Sequence, residues 1–204
     1  RVVPNAVSDA VRDPAQWTTP EGLPEAGEGL LLAAVGRPYP HKNFRLLEPL
    51  ATELELRLDQ RVGYVTTLDE DEWNWLSPGL KERTHNMGHI RQRELAAVYQ
   101  RCTATVFPSL LEVFSVTPLE SMAMGVPVFA SDLPSIRSAY GRGAVYFNPH
   151  DARRAAETIA PYLSDSAMLR EFGDAGRKQL VKMPTAAQRT DRYWGIICEG
   201  LSRA

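Results

Sequence analysis

Short, wholly apolar runs alternate along this chain with segments of helical period, and that alternation limits the fold more than any other property. The run Leu30-Leu31-Leu32-Ala33-Ala34-Val35 stops at Gly36. It has the length of a strand and the uniform apolarity of one covered on both faces. From His41 the spacing changes: Phe44, Leu47, Ala51, Leu54 and Leu58 step by three and four, the period of a helix with one buried side. Pro49 inside this stretch predicts a kink or a delayed start. The pattern then repeats, with strands expected at 62–67, 84–88, 103–107, 126–130 and 144–147. Helices are expected at 94–102, where Leu95, Val98 and Tyr99 form the apolar side, at 117–124 closed by Gly125, and briefly at 135–140. The acidic stretch 69–80, with Trp73 and Trp75, has no decisive period, and its tryptophans are expected to be partly buried at the surface. Beyond Asp151 only helices are expected, broken at Pro161, Gly173 and Pro184, with Tyr193 and Trp194 docking the last one.

Strands separated by helices pair in parallel through right-handed crossovers. The predicted fold class is therefore α/β, a doubly wound parallel sheet of about six strands flanked by helices, with a helical C-terminal segment. Residues 1–29 read as a linker and lead-in segment, 30–150 as the core and 151–204 as the C-terminal helices. Such sheets bind ligands just beyond the carboxyl ends of their strands, so the functional residues belong in those loops.

Composition removes several classes of function. With 23 Lys and Arg against 25 Asp and Glu the net charge is −2, which offers a polyanion nothing to hold, and no nucleic-acid partner is expected. Cys102 and Cys198 are too few for a disulfide framework and are expected to be buried apolar fillers. His41, His85, His89 and His150 are scattered without a Cys, Asp or His at ligand spacing, so no metal site is expected. No run of about 18 apolar residues and no signal-peptide pattern is present, which predicts a cytoplasmic location. The chain lacks an initiating Met, and 1–7 reads as a strand end entering a turn, so a piece of a longer protein is expected.

Two loops carry the chemistry. Gly36-Arg37-Pro38-Tyr39-Pro40-His41-Lys42-Asn43 follows the first core strand and feeds a helix. Its two cations near a helix start either cradle a diphosphate or are ordinary surface charges. The second loop, 108–125, places Glu112 ahead of the helix and Glu120 in its first turn or so, with Thr117-Pro118 expected as cap and first helical residue. Two carboxylates at one strand end suit the hydroxyls of a ribose or a sugar, while amides at Ser115 to Thr117 suit phosphate oxygens. Equally, Glu120 complements the helix dipole and Glu112 is merely solvated.

In succession, these segments resemble the retaining, metal-independent glycosyltransferases built from two Rossmann-like domains, the GT-B architecture, of the group 1 or GT4-like family. The resemblance rests on Gly36, Arg37, Lys42 and Asn43, and on Glu112-Val-Phe-Ser-Val-Thr-Pro-Leu-Glu120-Ser-Met-Ala-Met-Gly-Val-Pro-Val128, which keeps the two glutamates eight positions apart. Further matches are Val3-Pro4-Asn5, the Gly88 loop, Ala130-Ser131-Asp132 and Phe147-Asn148-Pro149, so nearly the whole chain is covered in order.

The resemblance implies one half of a GT-B fold, the Rossmann-like nucleotide-sugar-binding domain, that helps move a hexosyl unit from a nucleotide-diphospho-sugar to an acceptor in polysaccharide or glycoconjugate synthesis. Arg37 and Lys42 then hold the diphosphate and stabilise its developing charge. Glu112 lies beside the transferred sugar. Glu120 takes the ribose hydroxyls, and Gly88, His89 and Ile90 meet the base. Gly36, Phe114, Ser115, Val116 and Thr117 complete the donor contacts. The implied partners are the donor, as substrate with no separate cofactor or metal, and a missing N-terminal acceptor-binding domain. Any peripheral contact with the inner face of a membrane runs through that domain. The His41-Lys42-Asn43 loop resembles transferases that build bacterial surface polysaccharides from mannose, rhamnose or similar donors.

One departure bears on activity: Val113 and Ser115 stand where the family has glycines, and either residue would be strained if its backbone required φ > 0. A second departure, to which no function is assigned, is Thr66-Thr67, where relatives often carry a glycine-rich turn. Two other readings stay open at this point, a nucleotide-sugar epimerase of the same architecture and a non-catalytic binding or scaffold domain.

Overall fold

A computed structural model describes residues 3, 5–25, 27 and 29–202. Arg1, Val2, Pro4, Ala26, Glu28, Arg203 and Ala204 lie outside the described residues, and with them most of the expected strand end at 1–7 and the middle of the Val3-Pro4-Asn5 match.

A short helix α1 (Asp9–Arg12), capped by Ser8, precedes the core. The alternation then runs β1 (Leu30–Ala33), α2 (Leu47–Leu58), β2 (Val62–Thr66), α3 (Glu70–Asn74), α4 (Pro78–Glu82), β3 (Thr84–Asn86) and α5 (Leu95–Arg101). It continues as β4 (Ala104–Phe107), α6 (Thr117–Met124), β5 (Val128–Ser131), α7 (Pro134–Tyr140) and β6 (Val145–Phe147). Three helices close the chain: α8 (Ala152–Leu163), α9 (Ser166–Leu180) and α10 (Ala186–Leu201). All six strands are parallel, in the order β3-β2-β1-β4-β5-β6. Leu32 sits in register with Tyr64 on one side and Ala104 on the other. The expected Rossmann-like sheet is therefore present, and its winding reverses between β1 and β4.

Each face of the sheet has its own core. On one side Leu47, Leu50 and Leu54 of α2 and Ala155, Ala156 and Ile159 of α8 cover Leu32, Tyr64, Val106 and Phe129. On the other, Val98 and Tyr99 of α5 and Leu119 and Met122 of α6 cover Ala33, Val65, Phe107 and Val128. Fully burying one such leucine contributes about 1.5–3 kcal/mol, and both cores bury more than a dozen large apolar side chains. An aromatic series ties the C-terminal helices to the sheet: Phe129 to Tyr162 at 6.1 Å between centroids, then Tyr162 to Phe172 edge-on at 4.9 Å.

Several local expectations change for physical reasons. Pro49 is the third residue of α2, where its missing N–H costs nothing, and two 3-10 turns at Pro40–Lys42 and Phe44–Leu46 delay the helix start ahead of it. The ambiguous acidic stretch forms two short helices, the first begun by a reciprocal capping box between Asp69 and Glu72. Pro161 lies in the last turn of α8 without ending it, on the exposed side where the carbonyl it leaves unpaired meets water. Gly173 lies inside α9 rather than at a break; a Cβ there would stand 2.2 Å from the Gly125 carbonyl oxygen, so the glycine lets α9 close on the end of α6. The helices do part near Pro184, as expected.

The last helix, α10, buries none of its residues, and Tyr193 and Trp194, expected to dock it, are exposed within this chain. Cys102 is buried, whereas Cys198 on α10 is exposed. Trp73 packs against the core while Trp75 is exposed, as residues two apart on a helix must diverge. Among the described residues no helix is long and apolar enough to cross a membrane.

Candidate functional site

The reversal of strand order between β1 and β4 leaves a crevice at their carboxyl ends, since the loops leaving the two strands turn to opposite faces. Both chemistry-bearing segments of the sequence arrive there. The β1 loop leaves through Gly36 at φ 135°, a conformation that residues with a Cβ rarely adopt. It then winds through the turn 40–42 to Asn43, which is left-handed at φ 56°. The Asn43 side chain is buried, and its Nδ2 donates to the carbonyls of Pro108 at 3.1 Å and Pro149 at 2.9 Å. One amide thus ties the loops after β1, β4 and β6. The Leu110 N–H adds a bond of 2.7 Å to the His41 carbonyl.

Within this frame Lys42 Nζ meets Glu112 Oε2 at 2.5 Å, with only 20% and 12% of the two side chains exposed, and the ammonium also stands 5.1 Å from the Phe107 ring centroid. Glu112 is held from behind by a bond from the Ser135 hydroxyl to its carbonyl. Arg37, 61% exposed, turns the other way: its Nε lies 3.3 Å from Glu72 Oε1 and it donates to the Tyr39 hydroxyl at 3.4 Å.

The chain enters α6 one residue earlier than expected. The Val116 carbonyl already accepts the Glu120 N–H at 2.9 Å, so Val116 is the cap and Thr117 the first helical residue, without a side-chain cap. The first N–H groups of the helix therefore point toward the crevice without intrahelical partners. Ser115 is buried and its carbonyl accepts from the Tyr140 hydroxyl at 2.7 Å; Phe114 packs against the core on the α5 and α6 side. Glu120 is buried, and its Oε2 accepts from the Tyr99 hydroxyl at 3.1 Å. Desolvation pushes its carboxyl up to about 7, while the Tyr99 hydrogen bond works in the opposite direction. Tyr99 itself is raised well above the ordinary phenol range, first by burial and then by the adjacent carboxylate.

A cavity of about 220 Å³ opens beside these loops, lined by Gly36 and Arg37 on one side and by His89 and Ile90 on another. Gly88, at φ 64°, makes the turn that presents His89 and Ile90. Asn86 fixes this corner: its Oδ1 accepts from Thr66 Oγ1, Leu68 N and Gly88 N, and its Nδ2 donates to the Leu68 carbonyl. Thr67, Asp69 and Glu72 complete the wall. Nothing in the sequence assigns these three to a site. Their signals are the spacing Asp69-x-x-Glu72, a helix-start pattern, and the departure at Thr66-Thr67.

The strain considered for Val113 and Ser115 is absent. Among the described residues the non-glycine residues with positive φ are Asn43 and Asp59, and Val113 is exposed. No group of three or more His, Cys, Asp or Glu side chains among the described residues is placed to hold a metal ion. His85 Nε2 donates to the Gly22 carbonyl, 2.8 Å away. A larger cavity, of about 790 Å³, adjoins the β1 loop and is lined among others by Tyr39, His41, Asn43, Trp75 and Leu110.

A family described as glycosyl transferases, group 1, matches residues 15–179, from the lead-in segment through α9. The chain belongs to the group 1 glycosyl transferases. Among curated relatives, this group 1 chain is 36% identical over 85 residues to the serotype-specific mannosyltransferase WbdA of Escherichia coli, covering 42% of this chain and 10% of WbdA. To the O-antigen chain mannosyltransferase RfbU of Salmonella typhimurium it is 29% identical over 128 residues, covering 59% of this chain and 35% of RfbU. Its fold superposes on sucrose-phosphate synthase from Thermosynechococcus elongatus with a TM-score of 0.76 at 21% identity, over 100% of this chain and 53% of that one. The group 1 chain thus spans about a third or less of these curated relatives and about half of the solved structure.

Proposed function

We propose that this chain is the donor-binding half of a retaining glycosyltransferase that moves a hexosyl unit from a nucleotide-diphospho-sugar to an acceptor, in polysaccharide or glycoconjugate synthesis. The observation that carries this reading is the meeting of Lys42 with Glu112 at the point where the sheet reverses, with Glu120 buried eight residues further on. Lys42, with Arg37, receives the diphosphate and stabilises the charge that builds on it as the glycosidic bond breaks, a task for preorganised cations in a partly buried site. Glu112, released from Lys42 by the phosphate, contacts the transferred sugar. Glu120 accepts the ribose hydroxyls through the lone pairs that Tyr99 leaves free, and the base enters the cavity walled by His89 and Ile90. No metal is assigned a part. The acceptor and the second wall of the cleft belong to a further domain, and the location is cytoplasmic. The names of the mannosyltransferase relatives favour mannose or a related hexose as the transferred unit.

The relaxed backbone at Val113 and Ser115 removes the main ground for reading the chain as a scaffold that has lost its site. Calorimetric titration with GDP, UDP, ADP and dTDP tests the proposal: at least one binds, and Lys42→Ala and Arg37→Ala each weaken it about tenfold or more. Failure of all four nucleotides to bind, or indifference to both substitutions, rejects it.

A further inference from the structure

Glu72 is a buried carboxylate in an unusual position. It is 6% exposed and lines the base cavity. Its Oε2 accepts the Asp69 N–H at 3.2 Å, closing the capping box. Its Oε1, shielded from solvent, makes no hydrogen bond among the described residues; Arg37 Nε, 3.3 Å away, gives it a charge contact without hydrogen-bond geometry. A buried carboxylate oxygen with no hydrogen bond is costly unless a partner arrives. Asp69 stands beside it on the same wall, with Oδ1 engaged by the Glu72 N–H, and Thr67 completes that side.

We infer that this cavity is a guanine site and that Glu72 and Asp69 read the base. The inference rests on the donor-site reading above and extends it to the identity of the nucleotide. Carboxylate oxygens only accept hydrogen bonds, so Glu72 and Asp69 select a base edge that donates. Guanine offers adjacent N1–H and N2–H₂ donors. Uracil and thymine offer one N–H between two carbonyl oxygens, and those oxygens would face the carboxylates. Adenine offers its amino group next to the N1 acceptor. A site built around buried polar groups rejects a ligand that leaves them unmatched. Arg37 makes the arrangement responsive: when the diphosphate draws the guanidinium toward the phosphate loop, Oε1 is uncovered for the base.

The test uses four ligands and two isosteric variants. Wild-type protein binds GDP at least about tenfold more tightly than UDP or ADP, and about tenfold more tightly than inosine diphosphate, which lacks only the N2 amine. Glu72→Gln and Asp69→Asn each lower GDP affinity by about fivefold to tenfold, shrink the preference over inosine diphosphate, and leave UDP within about twofold. The inosine comparison needs no variant, so misfolding of either cannot mask the answer. Tighter binding of UDP or ADP overturns the inference while leaving the donor-site reading intact. Equal weakening of GDP and UDP by Glu72→Gln also overturns it, because Glu72 then acts only through Arg37. No binding by any nucleotide removes both readings together.

Discussion

Lys42 Nζ lies 2.5 Å from Glu112 Oε2, although the two residues are 70 apart in the sequence and leave different strands. The proposed phosphate-binding cation is therefore neutralised before any donor arrives, and a diphosphate must displace a carboxylate to reach it. Glu112→Gln is expected to tighten binding of the free nucleoside diphosphate by about tenfold, by removing the competitor, and to reduce glycosyl transfer by the full-length enzyme. Titration of the diphosphate alone checks the first part. Weaker binding by the variant would show that Glu112 assists Lys42 rather than competing with it.

Glu120 links stability to pH. Its carboxyl is raised from 4.5 to about 7, so between those values the folded protein holds a proton that the unfolded chain releases. Stability therefore falls as pH rises through this range, by roughly 3 kcal/mol, and stays lower above it. Glu120→Gln is expected to melt at a higher temperature than wild type at pH 8, with the gap closing near pH 5. If Glu120 holds the ribose as proposed, nucleotide binding runs the other way, since the ionised carboxylate is the better acceptor for hydroxyls and affinity is expected to fall as pH drops below about 7.

Tyr99 sets where that limb lies. Its hydroxyl bond to Glu120 favours the ionised form, so Tyr99→Phe moves the acidic fall in nucleotide affinity to higher pH. A pH series of titrations on both proteins measures the displacement. An unmoved limb, with affinity lowered equally at every pH, would make Tyr99 a packing residue only.

Asn43 combines a left-handed backbone with two buried side-chain bonds, and two substitutions separate the contributions. Asn43→Gly keeps the backbone and loses the bonds, at a cost of about 2–3 kcal/mol; Asn43→Ala adds about 1 kcal/mol of backbone strain. Urea unfolding gives both values. Equal losses would mean that the conformation itself costs little.

Two helical glycines should respond oppositely to alanine. At Gly173 the new methyl meets the Gly125 carbonyl, and α9 must shift, costing about 1–3 kcal/mol or more. At Gly195 on exposed α10 nothing lies within 4 Å, and the change gains about 0.5–1 kcal/mol of helix propensity. Thermal melts of the pair provide the comparison.

The sheet and the two loops were legible because strand burial and helix periodicity are local. The run 30–35 and the apolar steps from Phe44 to Leu58 mark their elements without help from distant residues. Gly125 ended α6 where expected because a left-handed cap is a one-residue decision. Gly173 and Pro161 misled because a helix-breaking tendency is weighed against tertiary contacts, and the close approach of Gly125 decides the first. The partners of the site residues were harder to see. Lys42 with Glu112, Arg37 with Glu72 and Tyr99 with Glu120 all join separate segments, and no spacing rule pairs them. Glu72 was hidden for another reason: its capping role explains its place in the sequence fully, and only burial shows that one oxygen is left over.

The Asn43 amide bonds mean that three crevice loops cannot rearrange separately without leaving buried carbonyls bare. The Ser135 and Tyr140 bonds to the Glu112 and Ser115 carbonyls tie the same loops further. On the proposed reading, a nucleotide would settle on them with little loss of loop entropy. Any closing motion around it would carry these loops as one body, so its hinge would lie outside the crevice.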